Sequence, residues 1–317
     1  MPASIEVDRL VKRYRKASTN AVDSVSFDVP EGSLFCLLGP NGAGKTTTVA
    51  ILTTTLRPTS GRVVIAGRDL ATDRSAVRRE LGVVFQQPSL DLNLTAEENV
   101  RLHAVVYRLY PWRPTRASMP AAYRRQVSEL AGLLGIADVL GRPARVLSGG
   151  MRRKLEILRA LLHRPRVLFL DEPTAGLDPE SRRDLWSYLS QVRNRYGTTV
   201  FLTTHYLEEA ESADAVCVLA GGRIVEHGTP AQLKSRHTRP ELLLDADDRP
   251  ALRRELIGLG LAVTGDAPLR VPLAEPVAAT AQQVIQRVGS TLTRCQVVAP
   301  TLEDTYLTLL RRMSGDG

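Results

Sequence analysis

Gly39-Pro40-Asn41-Gly42-Ala43-Gly44-Lys45-Thr46 carries glycines, a lysine and a hydroxyl at the spacing of a loop that cradles phosphates. Backbone N–H groups of such a loop point at the phosphates, and the helix N-terminus behind it adds a favourable dipole. Lys45 is then placed to hold the β- and γ-phosphates, and Thr46 to give its hydroxyl to Mg²⁺. Just upstream, Ser33–Leu38 is a short, nearly continuous apolar run, as a buried central strand would be. Downstream, Thr46–Thr48 and Thr53–Thr55 are β-branched and favour strand by propensity. The loop nevertheless requires a helix behind it, and Val49, Leu52 and Leu56 recur at helical spacing. A helix is therefore expected there.

Two further stretches complete the chemistry. The apolar run Val167-Leu168-Phe169-Leu170 ends in Asp171-Glu172, which puts two carboxylates at the carboxyl end of a strand, where open α/β sheets bind ligands. Asp171 suits a metal shell, and Glu172 is placed to act as general base on an attacking water. Leu147-Ser148-Gly149-Gly150-Met151 opens a second helix, running through Leu155, Leu158 and Leu162, with Ser148 as its N-cap. The glycines let an anion approach closely. Arg152, Arg153 and Lys154 set cations in the first turn, against the helix dipole, a conflict that a docked phosphate or solvent would relieve.

The remaining composition bounds the class. At 317 residues with 43% hydrophobic and 24% charged residues, the chain is an ordinary globular one with room for two domains. A spanning helix needs about 20 mostly apolar residues, and runs such as Val167–Leu170 and Ala215–Ala220 fall far short. Met1-Pro2-Ala3-Ser4-Ile5-Glu6-Val7-Asp8 sets acids where a signal peptide needs a basic region and an apolar run, so export is not expected. Cys36, Cys217 and Cys295 lack metal-ligand spacing and read as small buried hydrophobes in a reducing compartment. The net charge of +8 is spread along the chain and reads as solvated surface rather than a dedicated anion-binding face.

Alternating residues at Ile5–Val11 and Ala21–Phe27 predict half-buried strands. Ala96–Leu162 reads as a helical insertion interrupted at Pro111–Pro120. Val167–Leu170 and Thr199–Leu202 read as buried strands of an α/β sheet. Near Gly228-Thr229-Pro230 the character changes, with Thr229 as N-cap and Pro230 at the first helical position. The domains are drawn as 1–235 and 238–317. The second is expected to run strand, helix, strand, strand, helix, strand, as a split βαβ unit. Its strands are Glu241–Leu244, Leu261–Thr264, Leu269–Val271 and Leu292–Val298, and its helices Pro250–Leu259 and Pro276–Val288.

The phosphate loop, Leu147–Met151 and the acidic strand end together resemble the ATP-binding cassette (ABC) ATPases, with matching order and spacing through residues 1–235. That resemblance implies a P-loop NTPase α/β fold, with a mixed central sheet, an antiparallel β subdomain and a helical subdomain, before a small α+β C-terminal domain. It implies ATP contacts from Gly39, Pro40, Asn41, Gly42, Ala43, Gly44, Lys45, Thr46 and Thr47, with Tyr14 stacking on adenine. Gln86, with Gln87 adjoining it as the alternative, stands where the family's glutamine touches Mg²⁺ and faces the membrane subunit. Mg²⁺ would thus meet Thr46, Gln86 and Asp171. Asp178, in Ala175-Gly176-Leu177-Asp178, resembles the loop through which two copies communicate, and His205 the switch histidine near the γ-phosphate.

The family's signature usually ends in glutamine, whereas this chain has Met151, which donates no amide hydrogen bond. Phosphate contact in trans then rests on Ser148, Gly149 and Gly150. A Met-ending signature and the segment Thr301-Leu302-Glu303-Asp304-Thr305-Tyr306 are similar to the ATPase subunits of daunorubicin-resistance-type exporters. The resemblance implies a homodimer sandwiching two Mg-ATP at the cytoplasmic face of the membrane, driving a permease on a separate chain. The exported cargo would be a drug, antibiotic, lipid or similar amphiphile. A soluble ABC ATPase acting on nucleic acid or ribosomes is the rival. That branch usually carries two cassettes or large inserts, and this chain has one cassette and no aromatic-rich basic patch. No nucleic acid is expected as partner. A module that senses ATP without turnover is opposed by Glu172 and His205.

Overall fold

The computed structural model describes residues 2–314, which divide into two compact units between His227 and Gly228. The first begins with β1 (Ala3–Lys12), β2 (Val22–Pro30), β3 (Leu34–Leu38), α1 (Lys45–Leu52), β4 (Ser60–Ile65) and β5 (Arg68–Asp69). It continues through α2 (Arg74–Glu80), β6 (Leu81–Val84), α3 (Ala96–Val106), α4 (Ala121–Leu133) and α5 (Gly149–Leu161). It ends with β7 (Val167–Asp171), α6 (Pro179–Tyr196), β8 (Thr199–Thr204), α7 (Leu207–Ala210), β9 (Ala215–Ala220) and β10 (Arg223–Gly228).

A six-stranded sheet has the order β10-β9-β3-β8-β7-β6, and a four-stranded sheet the order β2-β1-β4-β5. The pairs of β3 with β8 and β9, and of β7 with β6 and β8, are parallel. The pairs within the smaller sheet are antiparallel. Strands β3, β7 and β8 are buried at every position, which is why they read as unbroken apolar or β-branched runs. The two sheets meet through aromatic rings, with Phe27 of β2 5.2 Å from Phe35 of β3, which lies 5.1 Å from Phe201 of β8.

Helix α1 ends at Leu52, short of Leu56, because the threonines that weaken helix propensity also terminate it. The hydroxyls of Thr53 and Thr55 donate to Val49 O and Ala50 O, each at 2.7 Å, and so satisfy last-turn carbonyls. In the helical insertion, Thr95 and Glu98 form a capping box at the start of α3. Glu97 on that helix accepts from Tyr123 of α4 at 2.9 Å and from Arg101 at 3.2 Å. The proline-rich stretch between α3 and α4 is anchored by Arg101, whose guanidinium donates to Arg113 O at 2.7 Å.

The second unit comprises α8 (Pro230–His237), β11 (Glu241–Ala246), α9 (Arg249–Gly258), β12 (Leu269–Pro272), α10 (Val277–Arg287), β13 (Leu292–Val298) and α11 (Leu302–Ser314). Thr229 and Gln232 cap α8 reciprocally. Leu242, Leu244, Leu252, Leu256, Leu269, Val271 and Val284 form its core. The sequence drew the division near residue 238, whereas α8 belongs to this unit. It packs on α11, with the Thr238 and Thr305 hydroxyls 3.2 Å apart.

Two expectations are corrected here. Leu261–Thr264 forms no strand, only an isolated bridge between Thr264 and Arg270. Gly260 and Gly265, at φ 77° and 72°, turn the chain at both ends of that segment and leave it too short to join the sheet. The observed order is strand, helix, strand, helix, strand, helix around the antiparallel sheet β12-β11-β13, not a four-stranded split βαβ unit. Cys36 and Cys217 are buried, but Cys295 is exposed, because it lies in the middle of an edge strand whose residues 293–297 are all exposed. Among the described residues, no helix is long and apolar enough to cross a membrane.

Candidate active site

Parallel register brings four strand ends together. Leu38 of β3 pairs with Thr204 of β8, Asp171 of β7 with Thr203 of β8, and Val84 of β6 with Leu170 of β7. The segments that follow these strands therefore converge on one edge, the place where open α/β sheets bind ligands.

Close backbone approach leaves no room for a side chain at two glycines of the loop after β3. A Cβ on Gly39 would lie 2.3 Å from Leu219 O, and one on Gly44, at φ 104°, 2.4 Å from Ala21 O. Gly42, at φ 80°, faces open space. Helix α1 starts at Lys45 and so aims its unpaired first-turn N–H groups at the loop. The Lys45 ammonium donates to Gly39 O at 2.6 Å and to Pro40 O at 3.1 Å. Burial pushes its pKa below the usual lysine value, while Glu172 and Asp171 pull it back up. Thr46 is exposed on the first turn. Tyr14, half exposed, sets its hydroxyl 3.2 Å from the Thr47 hydroxyl, which leaves the ring beside the same turn.

At the end of β7, Asp171 is buried and accepts from the Thr203 hydroxyl. Burial raises its carboxyl pKa above the ordinary aspartate value, although Thr203 lowers it. Glu172 takes a left-handed backbone, φ 46°, which costs about 1–2 kcal/mol for an L-residue. The conformation is held from both sides. Its N–H donates to Thr203 O at 3.1 Å, and its carbonyl accepts from Arg153 at 3.1 Å. The turn aims the carboxylate between two partners: Gln86 Nε2 donates to Oε2 at 2.9 Å, and His205 Nδ1 lies 3.2 Å from Oε1. The contact is made by Gln86 rather than by its neighbour Gln87.

Ser148 caps α5, accepting from Met151 N at 3.2 Å. A Cβ on Gly149 would make only an ordinary contact, 3.9 Å from Leu177, whereas one on Gly150 would lie 2.7 Å from the Ser181 hydroxyl oxygen, so this glycine lets α5 rest on the start of α6. There Asp178 accepts from Glu180 N, Ser181 N and the Ser181 hydroxyl at 3.1, 2.9 and 2.6 Å. The serine bonds hold its carboxyl below the usual carboxylate range. Ser148, Gly149 and Met151 are exposed at the start of α5 beside Asp178, while Gly150 is buried against Ser181.

The three first-turn cations each find partners within the protein. Arg152 donates to Ala144 O and Arg145 O at 3.1 and 2.9 Å, and Lys154 pairs with Asp184 at 3.1 Å. Arg153 is buried and donates to Pro173 O at 2.9 Å, Phe85 O at 2.7 Å and the Glu156 carboxylate at 3.1 Å, besides Glu172 O. One guanidinium therefore joins the signature helix, the segment before Gln86 and the turn at Glu172. Sequence reading missed Arg153 and Thr203. Arg153 looked like one of three surface cations, and a threonine within a strand gives no signal of its neighbour's carboxylate.

The donors suit Mg²⁺. Thr46, Gln86 and Asp171 offer only hard oxygens. Asp171 is a buried anion whose charged form is disfavoured by burial, which a cation would relieve.

The family model for ABC transporters matches residues 22–175. The chain is 40% identical over 265 residues to the daunorubicin/doxorubicin resistance ATP-binding protein DrrA of Streptomyces peucetius, covering 82% of this chain and 76% of that one. It is 36% identical over 317 residues to the Nod factor export ATP-binding protein I of Ralstonia nicotianae, covering 98% and 95%. Among solved structures, the ATP-binding subunit of an ABC transporter superposes with a TM-score of 0.62 at 30% identity, over 73% of this chain and 92% of that one. A dimeric ATP-binding cassette bound to ADP and Pi also superposes with a TM-score of 0.62, at 26% identity, over 71% and 98%.

Proposed function

The chain belongs to the ABC transporter ATPase family, and from that premise we propose that it powers efflux of a drug, antibiotic, lipid or similar amphiphile through a permease on a separate chain. It is an ATP-hydrolysing subunit of exporter type, and the nucleic-acid alternative finds no support among its relatives. The observation that carries the catalytic reading is the Glu172 carboxylate, clamped between Gln86 and His205 at the strand edge that also bears Lys45.

In this reading the run Gly39–Thr47 wraps the phosphates, and Tyr14 stacks on adenine. Lys45 exchanges the Gly39 and Pro40 carbonyls for β- and γ-phosphate oxygens. Glu172 takes a proton from the attacking water as its oxygen bonds to the γ-phosphorus and the bond to the β-phosphate oxygen breaks, leaving ADP and phosphate. Gln86 and His205 hold the carboxylate in line. Thr46, Asp171 and Gln86 would hold Mg²⁺, which when bound neutralises charge developing on the phosphate oxygens.

Ser148, Gly149 and Gly150 would complete the site of a second copy, with Asp178 at the junction, so that two chains sandwich two nucleotides at the cytoplasmic face of the membrane. Next to Gln86, Phe85 and Ser89 border a cleft of about 880 Å³ lined by Arg57, Arg74, Arg78 and Arg159, with no carboxylate among its lining residues. We assign that cleft to an acidic segment of the permease.

Trans assembly is tested by mixing Ser148→Arg with Lys45→Ala chains in the assembled transporter. Each heterodimer should regain one intact composite site, and with it up to half of wild-type turnover per site pair. No gain over either variant alone would refute the sandwich.

A further inference from the structure

Strand β13 is an open edge. Among the described residues it pairs with β11 on one side only, and Thr293 to Val297 are exposed on both faces of the strand. The helical layer stops short of it. Leu242 and Leu244 of β11 lie in the core, while Val297 and Cys295, opposite them on the same face, stay outside. The other edge, β12, is short and ends in Pro272, both of which blunt pairing. β13 spans 7 residues, Leu-Thr-Arg-Cys-Gln-Val-Val, with no proline and one charge, and so has few of the features that normally protect an edge.

We propose that β13 pairs antiparallel with β13 of a second copy of this chain, about a two-fold axis through Cys295. A two-fold axis that continues the sheet must pass through a residue position, since side chains on one face stay on that face. The axis through Cys295, the middle of the strand, pairs its whole length. Arg294 then faces the partner's Gln296, Thr293 the partner's Val297 and Leu292 the partner's Val298. An axis one residue earlier would set Arg294 against itself. The Arg294 guanidinium already donates to the Gln296 side-chain oxygen at 2.8 Å within its own strand, so these groups share a face and match as donor and acceptor across the seam. A ribbon this short falls well below the roughly 1,200–2,000 Å² of a stable interface, so it acts together with contacts between the ATPase units. The proposal rests on the reading of the chain as half of a homodimer.

The test uses the full chain. Opposed residues of an antiparallel pair have Cα atoms about 4.5–5.5 Å apart, within disulfide reach of about 4.4–6.8 Å. Copper-phenanthroline with oxygen takes two electrons and two protons from facing Cys295 thiols as the S–S bond forms. A disulfide-linked dimer is expected on a non-reducing gel and should be lost in Cys295→Ser, since Cys36 and Cys217 are buried. Gln296 is exposed, so its substitution should leave the fold and ATP turnover unchanged. Gln296→Arg sets like charges against Arg294 twice and should slow cross-linking at least tenfold, whereas Gln296→Glu should speed it. Cross-linking indifferent to both substitutions overturns the register. A Glu172→Gln chain that dimerises with ATP yet fails to cross-link at Cys295 overturns the seam and leaves the catalytic reading standing. No dimer under any condition overturns the seam and the homodimer together.

Discussion

Replacing Glu172 by glutamine isolates the chemical step. The side chain keeps its size, and both of its contacts can survive. The amide oxygen can still accept from Gln86 Nε2, now at 2.9 Å, while the amide nitrogen donates to His205 Nδ1, now at 3.2 Å, once the imidazole carries its proton on Nε2. The fold, the strained backbone at φ 46° and the phosphate loop are therefore preserved, and stability should change by less than about 1 kcal/mol. What disappears is the ability to take a proton from water. General base catalysis contributes roughly 10²–10⁴-fold, or about 3–5 kcal/mol of barrier at about 1.4 kcal/mol per tenfold. ATP turnover should fall by that factor while nucleotide affinity stays within about threefold. Gel filtration with ATP should then show an accumulated dimer. Turnover within about fivefold of wild type would falsify the assignment of Glu172 as base, and loss of nucleotide binding in a folded variant would recast it as a binding residue.

Four other substitutions test the surroundings of that residue. Asp171→Asn should raise the melting temperature of the nucleotide-free protein, because burial raises the carboxyl's pKa in the folded state. The penalty for the anion is fully present above the folded pKa and vanishes as pH falls below the unfolded one, so the gain should be larger at pH 8 than at pH 4, and Mg-ATP turnover should be lost. A gain independent of pH in melting scans would contradict this. Gly44→Ala forces φ 104° on an L-residue and a Cβ to within 2.4 Å of Ala21 O. It should cost more than the roughly 1–2 kcal/mol of the backbone term alone and abolish ATP binding, whereas Gly42→Ala, with open space around it, should cost only that term in urea unfolding. Arg153→Met leaves the carbonyls of Phe85, Glu172 and Pro173 without their shared donor and breaks the buried pair with Glu156. A loss of about 3–5 kcal/mol is expected by denaturation, and turnover of the folded fraction should fall more than its nucleotide affinity.

The chemistry was legible in the sequence wherever it is local. Gly39–Thr46 could be read because its glycines answer to backbone geometry at single positions, and Asp171-Glu172 because an unbroken apolar run announces a buried strand whose end must meet solvent or ligand. The caps at Ser148 and Thr229 follow from side chains that reach only a few residues along the chain. Other features depend on which strands lie side by side. Gln86 and His205 meet at Glu172 because β6, β7 and β8 pair in parallel register, and no spacing along one chain encodes that. Arg153 was indistinguishable from Arg152 and Lys154 until α5 packed over the strand ends, where only one of the three points at the Glu172 turn. Leu261–Thr264 had the pattern of a strand but not the reach between two turning glycines, and Cys295 sat in a strand whose middle residues are exposed on both faces. Local conformation and hydrophobic period are properties of neighbours in sequence. Register, burial and the sharing of one guanidinium among three loops are properties of neighbours in space, and only the folded chain decides them.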